Sequence, residues 1–416
     1  MRRGQARGFP RLTAAFGESS KPMLANRPGQ WSAREWLILA GWLLPRAGRE
    51  RALPDLQAAL SRLFPHSVSH PVNAGRTALR IALGLARTRH PDRAAVIVPD
   101  YICPSVPEAV AAQGMTICPC PVRRNLVLNA DAALSMMTRD TLAIIVVHMY
   151  GYPADMERIQ QRARDLDIVV IDDAAQVLGA GYPDGTPLGA RGDFGILSFA
   201  LFKTVCAGPS GMGGVLLVNR DAWRQAAHDA VAALPPASAR LDADFILFQA
   251  TGREFRRLHW MWGKLLRALG APPAGLRAPG VGMARMPSLA AALAQPQIDA
   301  LDRRMACKRS VLQAYRKALA RIEAVDLPQL DEERYLTRLM IEVASLEAAE
   351  RLRCILQARG IPARKPYPRL TAKTEPPAAA LEPLKGLLEL PSNGRLRVRD
   401  VDRIANAVAS ALTGAP

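Results

Sequence analysis

At 416 residues, 49% of them hydrophobic and 22% charged, the chain can bury a sizeable core and has the make-up of a water-soluble globular protein. It holds no apolar run of the ~18–20 residues that a membrane span requires, and residues 1–23 lack the apolar core of a signal peptide, so a cytoplasmic location is expected. The net charge of +18 would suit an anionic partner, but no zinc-finger, RNA-recognition or basic-zipper pattern accompanies it, and no nucleic-acid partner is expected.

Residues 1–30 are basic, polar and rich in Gly, Pro and Ser, the composition of a disordered tail. Residues 32–44 predict a helix capped by Ser32 and stopped by Pro45, with Trp36-Leu37-Ile38-Leu39 packing on the body. Residues 53–64 predict a second one, with Leu53, Leu56, Leu60 and Phe64 at three- and four-residue steps. Val72-Asn73-Ala74-Gly75-Arg76-Thr77 then opens an apolar helix over 78–86. Loop glycine, hydroxyl and helix start suit an anion, because free N–H groups and the positive helix end point at it. Arg76 either adds a contact there or points outward. A strand over 94–98 runs into Pro99-Asp100-Tyr101-Ile102-Cys103-Pro104, and a helix over 107–112 and a strand over 115–118 follow. Cys118-Pro119-Cys120 has neither the spacing nor the companions of a zinc site. A strand over 142–147 leads into His148-Met149-Tyr150-Gly151-Tyr152-Pro153-Ala154-Asp155-Met156 and a crossover helix over 156–166.

The most informative stretch is 166–218. Residues 168–171 are an unbroken β-branched run, as expected of a strand buried on both faces, and Asp172 and Asp173 end it. Burying an acidic pair is costly without partners. Gln176 follows, then Phe194 to Ser198, Lys203, the glycine-rich 208–214 and an apolar strand over 215–218. A lysine in an apolar pocket loses proton affinity and becomes an amine nucleophile toward an aldehyde. A carboxylate aimed at a pyridine nitrogen keeps such a ring protonated. The alternation of strands and helices predicts a mostly parallel sheet, with Thr77, Tyr101, His148, Asp173 and Lys203 beyond the carboxyl ends of strands, where ligands bind.

Residues 221–280 read as helical. The basic amphipathic stretch 253–269 suits packing on the body or a partner better than peripheral contact with an anionic membrane. Residues 272–282 read as a linker, followed by Arg285-Met286-Pro287-Ser288-Leu289-Ala290-Ala291-Ala292. A strand over 339–343, a helix over 345–357, the segment Leu388-Glu389-Leu390-Pro391 and a final helix over 399–412 complete the chain.

Asp173-x-x-Gln176, then Ser198-x-x-x-x-Lys203 with the lysine thirty residues past Asp173, then the glycine turn, together resemble the DegT/DnrJ/StrS-type sugar aminotransferases. These are fold-type-I enzymes dependent on pyridoxal 5'-phosphate (PLP). The turn from His148 to Met156 is similar to the family's His-x-Tyr-Gly-x-Pro-Ala-Asp-Met, and Arg285 to Ala292 resembles its Arg-(Met/Leu)-x-x-x-x-Ala-Ala helix. The resemblance implies an α/β fold, with a mostly parallel central sheet carrying helices on both faces and a smaller α+β C-terminal domain. The implied divisions are a tail 1–30, a PLP domain 31–280 and a C-terminal domain 281–416. Lys203 would hold PLP as a Schiff base, Asp173 would face the ring nitrogen, and Gln176 would orient the ring. Thr77 and Ser198 would hold the phosphate, and His148 would line the site. The family's ring-stacking aromatic falls by count on Cys103, while Tyr101 lies two residues earlier, so either covers the ring. An asparagine that relatives extend to the partner's phosphate is Met283 here, and Arg285 is the candidate substitute. A homodimer, a glutamate or glutamine donor and a nucleotide-linked keto sugar acceptor are further implications. The alternatives are a lipid-linked or other carbonyl substrate, a sugar dehydratase relative and a non-catalytic regulatory protein. Dehydratases of the family carry histidine where Lys203 stands, and the intact Asp173/Gln176/Ser198/Lys203 set argues for an enzyme.

Overall fold

The computed structural model describes residues 31–42, 49–200, 203–208, 212–237, 282–328, 336–370 and 385–413. The tail 1–30, the stretch 253–269 and all but Gly282 of the linker 272–282 lie outside the described residues. Seven short strands make the central sheet: β1 Val68–Val72, β2 Ala95–Pro99, β3 Thr116–Cys120, β4 Thr141–Val147, β5 Val169–Asp173, β6 Phe194–Ser198 and β7 Gly214–Val218. Their order is β1-β7-β6-β5-β4-β2-β3. The pairs from β3 through β6 are parallel, and β7 runs antiparallel to both β6 and β1. β4, in the middle, is buried at every position, which is why its sequence is a continuous apolar run.

β1 is not foreseen by sequence, because His70 and Pro71 interrupt its apolar pattern. Pairing with β7, from Val68 opposite Val218 to Val72 opposite Gly214, creates it. It lies at the sheet edge, where a proline sacrifices no ladder bond. Two antiparallel steps bring the end of β1 out on the same edge as the ends of β2, β4, β5 and β6.

The helices are α1 Ala33–Gly41, α2 Ala52–Leu63, α3 Gly75–Arg89, α4 Ser105–Ala111, α5 Ala130–Met136, α6 Met156–Leu166, α7 Arg224–Ala232, α8 Ser288–Asp299, α9 Leu301–Leu319, α10 Leu346–Ala358 and α11 Val398–Thr413. α3 starts three residues earlier than its apolar pattern suggests, directly after extended Ala74. α5 has no counterpart in the sequence reading; Asn129 caps it, its Oδ1 accepting from the Asp131 N–H at 3.1 Å. α1 has the expected Ser32 cap, but its inner face differs. Trp31, Glu35 and Leu39, four residues apart, turn inward, whereas Trp36 and Leu37 are 46% and 72% exposed.

A second, smaller sheet pairs β8 Leu339–Val343 with β9 Gly386–Leu390, antiparallel. The C-terminal part of α9 packs with α10 and α11 around it, in a separate core that includes Tyr315, Leu352 and Ile404. Leu289 to Met305 belong to the large core instead, so the change of core along the chain falls inside α9. Among the described residues no helix is long and apolar enough to cross a membrane.

Candidate active site

β5 ends in Asp172 and Asp173, whose side chains leave opposite faces because side chains alternate along a strand. Asp172 is wholly buried and wholly used. Its Oδ1 lies 2.5 Å from His148 Nε2, and its Oδ2 accepts from the Tyr182 hydroxyl (3.0 Å) and the Arg191 N–H (2.8 Å). The Ala154 N–H donates to His148 Nδ1 at 3.1 Å, so Nε2 carries the proton toward Asp172. The backbone N–H of His148 also donates to the Asp173 carbonyl at 3.2 Å. His148 thus braces the end of β5 from beneath, with both ring nitrogens engaged inside the protein.

Asp173 faces the other way, and its Oδ1 accepts from the Ala175 N–H at 2.9 Å. Burial pushes its carboxyl above the ordinary range, while the Ala175 bond, Lys203 and His148 pull it back. Lys203, half-buried, sits five residues beyond the end of β6. Burial draws its amine below the ordinary lysine range; the Cys103 thiol opposes that shift, Arg338 adds to it, and Asp173 opposes it. Gln176, 6% exposed, contacts Met149 Sδ through Nε2 at 3.6 Å. Its Oε1 has no partner among the described residues. Buried polar atoms are nearly always paired, which marks Oε1 as an acceptor for a donor from outside the chain.

A cradle lies beside these groups. A Cβ on Gly214 would stand 2.2 Å from the Gly75 nitrogen, and one on Gly75 would stand 3.1 Å from Ser198 Cβ. The start of β7, the start of α3 and Ser198 at the end of β6 therefore converge with no side chain between them. Among the described residues no side chain caps α3, so its first N–H groups are available to an anion. The Thr77 hydroxyl donates to Asn73 Oδ1 at 2.6 Å, inside the turn. Arg76 takes the outward alternative, 3.6 Å from Glu108 of α4. Arg285 bridges Val72 through its backbone; its side chain is exposed and makes no ion pair among the described residues.

The small domain closes the site from the other side. Tyr101 is 1% exposed; its hydroxyl lies 2.9 Å from that of Tyr150 and accepts from the Tyr367 N–H at 3.3 Å. Burial pushes the Tyr101 phenol up to about 12. Arg338 places its guanidinium 5.6 Å from the Tyr150 ring centre and 5.2 Å from that of Tyr367, and pairs with Glu389 at 2.9 Å. Of the two ring-covering alternatives, Tyr101 is shut inside this cluster. Cys103 is half-buried, with Sγ 3.2 Å from Ser105 Oγ, and lies within electrostatic reach of Lys203. Sequence reasoning assigned no role to Tyr150 or Arg338. Tyr150 lies inside the matched turn, but nothing in the sequence before β8 marks Arg338.

These groups fit PLP: an amine of lowered proton affinity, a buried carboxyl, an unpaired buried acceptor and an N–H-lined cradle, all on one sheet edge. A model of the DegT/DnrJ/EryC1/StrS aminotransferase family matches residues 46–409, and the chain belongs to that family. It is 28% identical over 264 residues to a GDP-perosamine synthase of Caulobacter vibrioides, covering 61% of this chain and 59% of that one. It is 32% identical over 206 residues to a UDP-N-acetyl-3-dehydro-alpha-D-glucosamine 3-aminotransferase of Acidithiobacillus ferrooxidans, covering 46% and 53%. The chain thus spans little more than half the length of these curated relatives. Among solved structures, Helicobacter pylori PseC, an aminotransferase involved in pseudoaminic acid biosynthesis, has the same fold. Its TM-score is 0.71 at 16% identity, covering 95% of this chain and all of that one.

Proposed function

We propose that this chain is a PLP-dependent aminotransferase that moves an amino group from glutamate or glutamine to a keto sugar carried on a nucleotide, as a cytoplasmic homodimer. The observation that carries the reading is Lys203, an amine of lowered proton affinity, beside buried Asp173 at the carboxyl edge of the sheet. Relatives named for sugar amination support the acceptor class. PLP, when bound, supplies an electron sink for the carbon that carries the amino group.

Lys203 Nζ would hold the cofactor and, when free, would serve as the base and acid that moves the proton of the donor's α-carbon. Asp173 would hold the proton on the ring nitrogen, and Gln176 would orient the ring. The first N–H groups of α3 and the Ser198 hydroxyl would bind the phosphate, and the Thr77 hydroxyl would join them on leaving Asn73. Cys103, half-buried, would cover the ring, while Tyr101 is held in the tyrosine cluster. The cluster and Arg338 exclude water from the Lys203 side.

The test is borohydride reduction of the PLP-loaded full chain, followed by peptide mapping, with nucleotide-linked keto sugars and amino donors then screened for turnover. A single pyridoxyl group on Lys203, and its loss together with turnover in Lys203→Ala, is the expected result. Labelling of another lysine, or of none, overturns the assignment.

A further inference from the structure

The family match begins at residue 46, so α1 lies wholly upstream of it. Yet α1 reaches the loop that carries Lys203. Trp31, 4% exposed, donates its indole N–H to the Cys206 carbonyl at 2.9 Å. The same carbonyl accepts from Gln297 Nε2 at 2.9 Å, and the Cys206 N–H donates to Gln297 Oε1 at 3.0 Å. Four residues on, buried Glu35 lies 3.9 Å from Arg304, whose Nη2 is 3.5 Å from the Thr204 carbonyl. Glu35 is itself held by Ser32, whose N–H donates to Oε2 at 2.7 Å. Arg395, from the turn before α11, donates to the Trp31 carbonyl. Thr204 and Cys206, one and three residues past Lys203, are thus gripped from the start of α1, α8 and α9 together.

We infer that α1 is a strap on the lysine loop, and that Trp31, just ahead of it, is a positioning residue for Lys203, acting through the Cys206 carbonyl. A helix kept only for packing would bury its largest apolar side chains. Here Trp36 and Leu37 stay outside, while the inward row offers an indole N–H and a carboxylate to the lysine loop or its brace. One hydrogen bond at the loop sets how Nζ is presented, because Lys203 is only three residues from Cys206. The inference rests on the proposed role of Lys203.

The test uses the full chain loaded with PLP, with three variants. Trp31→Phe removes the N–H but keeps a ring; Glu35→Gln removes the charge facing Arg304; Leu39→Ala loosens α1 without touching the loop's contacts. The readouts are the PLP dissociation constant, the pH midpoint of the cofactor's visible band, and Tm. Trp31→Phe is expected to weaken PLP retention by about 2- to 10-fold, the effect of one hydrogen bond, and to shift the pH midpoint with little change in Tm. Leu39→Ala is expected to lower Tm while leaving the midpoint in place. The inference is overturned if Trp31→Phe leaves both cofactor readouts unchanged, or if retention simply follows Tm across the three variants. Borohydride mapping of the wild type separates the two levels. Labelled Lys203 with unresponsive variants removes the strap alone, whereas unlabelled Lys203 removes the PLP reading and the strap with it.

Discussion

At the scale of the residue, the two neighbouring aspartates differ because a strand sends them to opposite faces. Asp172 is spent on His148, Tyr182 and Arg191, and only Asp173 can serve a ligand. Asp173→Asn is therefore expected to lower turnover on the order of 10²–10³-fold, the scale of losing one preorganised electrostatic partner. The same change should stabilise the cofactor-free chain. Burial raises the Asp173 pKa, so its ionised form destabilises the fold above the carboxylate range, and the asparagine lacks that charge. The gain in Tm should vanish in acid, where the aspartate is already neutral, and grow toward neutral pH. Thermal melts across that range check it.

Lys308 gives a second pH effect of definite sign. Its ammonium, 5% exposed, donates to the Thr337 carbonyl and the Ser392 hydroxyl at 2.9 Å each, and to the Ser392 carbonyl. Burial nevertheless pulls its pKa down to about 7. Between there and the ordinary lysine value the unfolded chain binds more protons, so this group makes stability rise with pH. Lys308→Met should flatten the rise in unfolding free energy between pH 6 and 9 by on the order of 2 kcal/mol, because the donated bonds offset part of the burial. Urea titrations of both proteins measure it.

At the scale of the element, the proposed phosphate cradle depends on a backbone-to-backbone approach between α3 and β7. The Cβ of Gly214→Ala would meet the Gly75 nitrogen at 2.2 Å and the Ala74 carbonyl carbon at 2.3 Å. Neither can rotate away as a side chain would, so the helix must shift. We expect a stability loss of roughly 1–3 kcal/mol, as for overpacking, accompanied by weaker PLP retention, measured by chemical unfolding and cofactor dialysis. Unchanged retention would place the phosphate elsewhere than at the start of α3.

At the scale of the whole molecule, the site joins two cores. The Thr337 N–H donates to the Tyr150 carbonyl at 2.7 Å, and Arg338 reaches the Tyr150 ring from the entry to β8, so the small domain is seated on the His148–Met156 turn. Assembly adds a further element. Arg285 is exposed and its backbone bridges Val72 at the sheet edge, three residues before α3 begins. In the proposed homodimer it serves the partner's phosphate site, and Arg285→Ala should weaken PLP retention by about 1.5–3 kcal/mol, the range for a charge-assisted bond. Mixing Arg285→Ala with Lys203→Ala subunits should restore partial activity, since one site of each mixed dimer keeps both residues. If tagged chains exchange and no activity returns, Arg285 acts within its own subunit or not at all.

The sequence by itself determined what depends on local pattern. The apolar runs of β4 and β5, the three- and four-residue steps of α2, the turn from His148 to Met156 and the Asp173…Lys203 spacing are all contiguous signals, and each names its own structure. Tertiary structure decided the rest, because pairing and burial are properties of residues far apart in the chain. β1 exists because β7 pairs with it, despite Pro71. Tyr101 rather than Cys103 was closed off by Tyr150 and Tyr367, which approach from 49 and 266 residues away. The inward face of α1 was chosen by a carbonyl 175 residues beyond Trp31, since an indole N–H and a carboxylate found partners there that no helical periodicity can display.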